Sequence, residues 1–141
     1  MTPTQEIGLE LKGLSKVLGG RVIIDNLDLQ VKKGEMVSLL GPSGCGKTTT
    51  LRMIAGFLIP DQGKVTLAGK DVTDIGPEKR PSAMVFQNYA LWPHMTVFKN
   101  VAYPLKVRKM SKAEIEKRVH DVLGVVNLMH HKDSQIGRAH V

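Results

Sequence analysis

The first part of the chain alternates apolar and polar residues with the period of a β-strand. Ile7, Leu9 and Leu11 share one face of the segment IGLELKGL, which predicts a half-buried strand. The pair at 19–20, Gly-Gly, predicts a turn, and RVIIDNLDLQV after it predicts a second short strand and then a third. We therefore expect an antiparallel β portion near the N-terminus.

Two runs, MVSLL at 36–40 and SAMVF at 82–86, are nearly continuous in apolar residues instead of alternating. Such runs are typical of strands that are buried on both faces, as in a parallel sheet. The segment KVTLAG between them predicts a further strand. We expect the two buried runs to lie beside each other in one sheet.

Three segments have helical periodicity. The first runs from about Lys47 to Phe57 and predicts a buried stripe made of Leu51, Ile54, Ala55 and Leu58. The second, TVFKNVAYPLKV, begins at a capping threonine, Thr96, and Pro104 is expected to kink or end it. The third follows Ser111, with Glu114 as its capping-box partner and a buried stripe of Ile115, Val119, Val122 and Leu123.

The segment GPSGCGKT, residues 41–48, fits the pattern G-x-x-x-x-G-K-[ST] between a predicted strand and a predicted helix. Gly41, Gly44 and Gly46 lack a side chain, so the backbone can take positive φ and approach an anion closely. The loop amides then converge into an anion-binding concavity, and the N-terminus of the helix adds roughly half a positive charge.

Each remaining residue of the loop has a predicted place at a nucleoside triphosphate. Lys47 would reach the β- and γ-phosphate oxygens, Thr48 would offer its hydroxyl to Mg²⁺, and Thr49 would lie on the α-phosphate side. Pro42, Ser43 and Cys45 complete the loop, and Cys45 is interpreted as a filler rather than a nucleophile. The loop pattern alone is shared by kinases, GTPases, motors and transport ATPases.

The amino-acid composition does little to distinguish among these classes of protein. A chain of 141 residues with 42% hydrophobic residues is enough for one modest domain with a core. The net charge of +7 suits phosphates, nucleic acid or anionic headgroups without choosing among them. The single cysteine excludes an intrachain disulfide.

Longer segments carry a family resemblance. GEMVSLLGPSGCGKTTTLRMIAGFLIPDQGKVTLAGKDVT, followed by AMVFQNYALWPHMTVFKNV, closely resembles the ATP-binding subunits of ABC transporters, from about Leu9 to Gln135. The segment GPEKRPSAMVFQNYALWPHMTVFKNVAYPLK is most similar to importer ATPases of the spermidine/putrescine, iron, sulfate and sugar group. The resemblance implies an incomplete ABC ATPase domain of the α/β class. Its β-rich and P-loop core would span 1–87, with an N-terminal antiparallel β subdomain, and the beginning of an α-helical subdomain would span 88–135.

The resemblance also implies site residues outside the loop. Gln87 matches the Q-loop glutamine, whose side chain would position water or Mg²⁺, although in isolation it reads as an ordinary polar residue ending a strand. Trp92 and Met95 would line the groove that docks the membrane subunit. Leu18 stands where the family usually has an aromatic residue stacked on adenine, so base binding is expected to be weaker or less selective.

For the full-length parent, the resemblance implies ATP hydrolysis with Mg²⁺ at the cytoplasmic face of the cell membrane, as a peripheral protein. The partners would be membrane-spanning permease subunits, a second copy of the ATP-binding subunit and, indirectly, a solute-binding protein, with no nucleic acid. The sequence of this subunit does not identify the transported solute. The 141 residues contain no LSGGQ and no apolar strand ending in Asp-Glu, so we expect this fragment to bind ATP without hydrolysing it.

Residues 136–141, Ile-Gly-Arg-Ala-His-Val, match the translation of a common sequencing adapter. The two adapter bases before these six codons would complete the codon of Gln135. We expect these six residues to be an untrimmed adapter. Two other readings stay open from the sequence. One is a non-transport ABC-type ATPase of DNA repair or chromosome maintenance, and the other is a non-catalytic nucleotide-binding fragment.

Overall fold

The computed structural model describes residues 6–136, and the chain divides into two compact units, Met1–Met84 and Val85–Val141. No helix within 6–136 is long and apolar enough to cross a membrane. The proposed adapter tail lies outside the described residues except for Ile136. The elements are β1 (Ile7–Leu18), β2 (Arg21–Lys32), α1 (Lys47–Ala55), β3 (Gln62–Leu67), β4 (Lys70–Asp71), α2 (Val97–Val107) and α3 (Lys112–Val125).

The first unit is built on a four-stranded antiparallel sheet with the order β2-β1-β3-β4. The predicted turn joining β1 to β2 is confirmed: Gly19 and Gly20 have φ of 55° and 76°, and positive φ at both central positions matches the twist of a hairpin. The prediction of two strands after this turn is wrong, because β2 is continuous. Its middle residue Asn26, with φ of 49°, lies where the pairing with β1 is irregular and donates its N–H to Ser15 Oγ (3.0 Å).

Helix α1 packs its apolar side into the core that the sheet forms. Met53 is fully buried with Leu11, Leu14, Val65 and Val72. The predicted start of the helix at Lys47 is confirmed, but the predicted stripe is only partly correct, since Leu51 is exposed. Contact with the sheet selects the face that carries Met53 and Thr50, which a helical pattern alone does not distinguish from its neighbours.

The two continuous apolar runs do not form strands, which corrects the prediction for 36–40 and 82–86. Met36 and Leu40 are 93% and 92% exposed, and Val85 is 84% exposed. A strand is stabilised by hydrogen bonds to a neighbouring strand, and neither run is a strand of the sheet that residues 6–136 form. The expected contact between the two runs is therefore absent from the described sheet.

The second unit is a pair of packed helices. Thr96 caps α2 by accepting the N–H of Lys99, as predicted, and α2 continues past Pro104 for less than one turn. The capping box at α3 is confirmed, with Ser111 and Glu114 each bonding the other's backbone N–H. Ile115, Val119 and Leu123 are buried as predicted, whereas Val122 is exposed.

We predict that Ser111→Ala lowers the unfolding free energy of the second unit by about 1 kcal/mol, since it removes the acceptor that caps α3. Denaturant unfolding followed by the fluorescence of Trp92, the single tryptophan of the sequence, measures this unit. Ser82→Ala, at an exposed serine of the first unit, is the control and should leave the midpoint unchanged. Equal midpoints for both variants would contradict the capping role.

Candidate functional site

The loop from Gly41 to Gly46 leads directly into α1, and its last residue rests on the sheet. Gly46 has φ of 96°, a left-handed conformation that glycine adopts without strain. A Cβ at this position would lie 2.6 Å from Ile24 Cδ1 and 3.1 Å from the Ile23 carbonyl oxygen. The residue before α1 must therefore be glycine on two counts, and its contact with β2 sets where the helix begins.

The side chain of Lys47 folds over this loop. Its Nζ donates to the carbonyl oxygens of Gly41 and Pro42, the second at 2.8 Å, and lies 3.5 Å from Cys45 Sγ. A Cβ at Gly41 would lie 2.7 Å from Cys45 Sγ, so a side chain there would have to displace that sulfur. The loop thus gathers around an ammonium whose carbonyl contacts an anionic ligand can replace.

The first turn of α1 is suited to an anion. Gly46 gives no side-chain cap, and the turn contains no acidic residue, so no side-chain carboxylate in that turn competes at the positive end of the helix dipole. Thr48 is exposed and Thr49 is half-buried beside it. The hydroxyl of Thr50 is committed, since it donates to the Gly46 carbonyl oxygen at 2.9 Å.

These residues fit a triphosphate with Mg²⁺ by the chemistry of their groups. An ammonium and a helix N-terminus free of side-chain acids supply positive charge, and an exposed threonine hydroxyl supplies an oxygen of the kind that Mg²⁺ accepts. Of the predicted loop residues, the structure joins Gly41, Pro42 and Cys45 to Lys47 by contact. Ser43 and Gly44 are exposed within the same loop, Gly44 with φ of 80°.

Two predicted site residues lie outside the phosphate loop in the sequence. Leu18 ends β1, where it is exposed and paired with Arg21 across the hairpin. Gln87 is exposed and belongs to the second unit, whereas the phosphate loop belongs to the first. The adenine contact of Leu18 and the Mg²⁺ contact of Gln87 stay predictions.

The segment after Gln87 is held by a residue that the sequence analysis missed. Asn100, nearly buried on α2, accepts the Trp92 N–H (2.9 Å) and donates to the carbonyl oxygens of Trp92 (3.1 Å) and Thr96 (3.0 Å). The Trp92 ring lies 4.4 Å from that of Tyr103. An asparagine on the apolar side of a predicted helix, four residues after its cap, was the available signal.

Around this segment several apolar side chains are accessible. Tyr89, Leu91 and Trp92 are exposed, and Met95 is half-buried. Tyr89 and Ala90 both have positive φ, 60° and 49°, which is uncommon for residues with side chains. A constrained backbone therefore presents this aromatic patch, which we define as Tyr89, Leu91, Trp92 and Met95.

Comparison with known proteins gives consistent matches. The chain is 55% identical over 120 residues to the spermidine/putrescine import ATP-binding protein PotA of Marinobacter nauticus, covering 85% of this chain and 32% of that protein. It is 54% identical over 127 residues to the protein of the same name from Photobacterium profundum, covering 90% and 34%. For the Acidothermus cellulolyticus protein the identity is 52% over 132 residues, covering 91% and 34%.

The chain spans about a third of the length of the curated relatives it matches. The model of the family described as ABC transporter matches residues 24–140, which include the phosphate loop, α1 and both helices of the second unit. The predicted class, a partial ABC ATPase domain with a P-loop NTPase core, is confirmed. Because the match covers most of the 141 residues, the chain belongs to the ABC transporter family.

Proposed function

We propose that this chain binds ATP together with Mg²⁺ through residues 41–49. We further propose that the whole protein of which it is part hydrolyses ATP to energise import of a solute. The observation that carries the first proposal is the loop around Lys47, which ends at a glycine seated on β2 and opens into a helix without acidic residues in its first turn. Membership in a family of transport ATPases supports the second.

Each residue of the loop would contact a different part of the bound ligand. Lys47 would exchange its carbonyl contacts for phosphate oxygens, which accept stronger, charge-assisted hydrogen bonds than a neutral carbonyl does. The backbone amides at the start of α1 would face the same oxygens. Thr48 would hold Mg²⁺, and Gln87 would contribute to that shell or orient water in the whole protein. Bound Mg²⁺ supplies charge stabilisation at the phosphates.

The partners follow from the transporter proposal. The aromatic patch would dock a membrane-spanning permease subunit, which would hold this protein at the cytoplasmic face of the membrane. A second ATP-binding subunit would complete the site, and a solute-binding protein would act through the permease. The exposed ring of Tyr89, and that of Trp92 on a backbone that Asn100 holds, support docking here.

For the solute, we propose a polyamine of the spermidine or putrescine type. The relatives from Marinobacter nauticus and Photobacterium profundum, at 55% and 54% identity, carry that substrate in their names. Uptake of labelled putrescine by cells with and without the complete gene and its permease tests this. Uptake of iron, sulfate or a sugar in its place would identify another member of the importer group.

Lys47→Ala is predicted to weaken binding of magnesium ATP by about 10- to 100-fold, the value of a charge-assisted hydrogen bond. Isothermal titration of the 141-residue chain measures the dissociation constant. Lys70→Ala, at an exposed lysine of β4, makes the same change in net charge and should bind as the parent chain does. If the parent chain has no affinity for magnesium ATP, or if both variants bind equally, the proposal fails.

Leu18→Phe is predicted to strengthen ATP binding by about tenfold, because an aromatic ring stacks on adenine where leucine gives apolar cover only. Binding of inorganic tripolyphosphate, which has no base, should not change. Val22→Phe adds the same ring to an exposed position of β2 and serves as the control. An equal gain in ATP affinity for both variants, or a gain in tripolyphosphate affinity, would show that Leu18 does not contact the base.

Trp92→Ala in the full-length protein is predicted to reduce its co-purification with the permease severalfold, since large aromatic residues dominate docking energies. Val125→Ala, at an exposed apolar residue of α3, is the matched control. The ATP affinity of the Trp92 variant should stay at the parent value. Undiminished co-purification would exclude Trp92 from the docking surface.

A further inference from the structure

The first unit contains a buried cation, Arg80, that the loop chemistry does not use. Arg80 is only 6% exposed to solvent. The guanidinium donates to four backbone carbonyl oxygens, those of Ile75 (2.6 Å), Met53 (2.7 Å), Ile54 (2.9 Å) and Thr73 (3.0 Å). Four of the five N–H donors of Arg80 are therefore engaged with backbone.

Two of these acceptors belong to the last turn of α1. The carbonyl oxygens of Met53 and Ile54 lie within the last four residues of the helix, where no further turn supplies N–H donors. A cation at this end also faces the negative pole of the helix dipole. Thr73 and Ile75 lie in the segment after β4. Arg80 thus ties the C-terminal end of α1 to a second, separate stretch of backbone.

The chain around the guanidinium leaves it little freedom. Gly56, which ends α1 with φ of 89°, passes so close that a Cβ would lie 2.6 Å from Arg80 Nε and 3.0 Å from Cζ. Burial lowers the pKa of Arg80 from its ordinary value, and the charge of Asp74 partly opposes this. Arginine still stays protonated, and its planar fork serves several acceptors at once, which a lysine ammonium on a flexible stem does not reproduce.

The other end of the same helix is the candidate phosphate site. Helix α1 has nine residues and begins at Lys47, so its two ends are about 13 Å apart. Gly46 seats the helix on β2 at the loop end, and Arg80 anchors it at the far end. A rotation or slide of α1 would move the amides and the ammonium that meet the phosphates.

We infer that Arg80 is a positioning residue for nucleotide binding. It fixes α1 from its C-terminal end and adds a buried positive charge behind the helix whose N-terminus receives the triphosphate. This inference rests on the proposed ATP binding. It assigns a role in ligand affinity to a residue that does not touch the ligand, acting through the placement of α1.

The test compares Arg80→Met and Arg80→Lys by titration with magnesium ATP at low temperature, where circular dichroism confirms that each chain is folded. Arg80→Met removes both the fork and the charge and should raise the dissociation constant about tenfold, as expected for a charge acting across a helix through protein. Arg80→Lys keeps the charge and should raise it by about threefold. If Arg80→Met does not fold, Arg80→Lys carries the test.

Val65→Ala is the control for a purely structural effect. Val65 is fully buried in the same unit, and its truncation lowers stability through lost packing while leaving the Arg80 side chain intact. In a folded chain it should bind ATP with the parent affinity. Parent-like affinity in the folded Arg80 variants, or an equal loss in Val65→Ala, overturns the inference. Failure of the parent chain to bind at all would instead refute the proposed function.

Discussion

The seat of Gly46 on β2 is the contact on which the rest of the first unit depends. The left-handed backbone at this residue ends the phosphate loop and starts α1 within one residue. A Cβ at this position would lie 2.6 Å from Ile24 Cδ1 and 3.1 Å from the Ile23 carbonyl oxygen, so a side chain would force Ile24 or the loop to shift. This backbone-to-sheet contact therefore helps to set the position of Lys47 and of the amides that follow.

Helix α1 has a consistent arrangement of charge along its axis. At its N-terminus the first turn contains no acid, and an ammonium folds over the loop. At its C-terminus the guanidinium of Arg80 donates to the carbonyl oxygens of Met53 and Ile54. The contacts at the two ends differ in kind. Lys47 binds exposed loop carbonyls that an anion can replace, whereas Arg80 is buried among four acceptors and holds the helix still. An exposed ammonium at one end and a buried guanidinium at the other would suit the proposed binding of a highly charged ligand at the N-terminus of α1.

The sequence predicted best where neighbours along the chain decide the structure. The hairpin at 19–20, the capping box of Ser111 and the start of α1 at Lys47 each depend on a few adjacent residues. Features that need a distant partner were missed. The apolar runs 36–40 and 82–86 are not strands, since strand character depends on a paired neighbour that hydropathy does not reveal. The role of Arg80 depends on carbonyl groups of α1 that the fold brings near, and no motif records it.

The central claim is that an anion-binding loop, seated on the sheet at Gly46, receives the phosphates of ATP. Titration of the isotope-labelled chain with magnesium ATP, followed by amide NMR, tests it residue by residue. The account predicts that the largest and saturable shifts belong to the amides of residues 44–49. Shifts that are absent from these amides, or that saturate elsewhere while these stay unchanged, would contradict it.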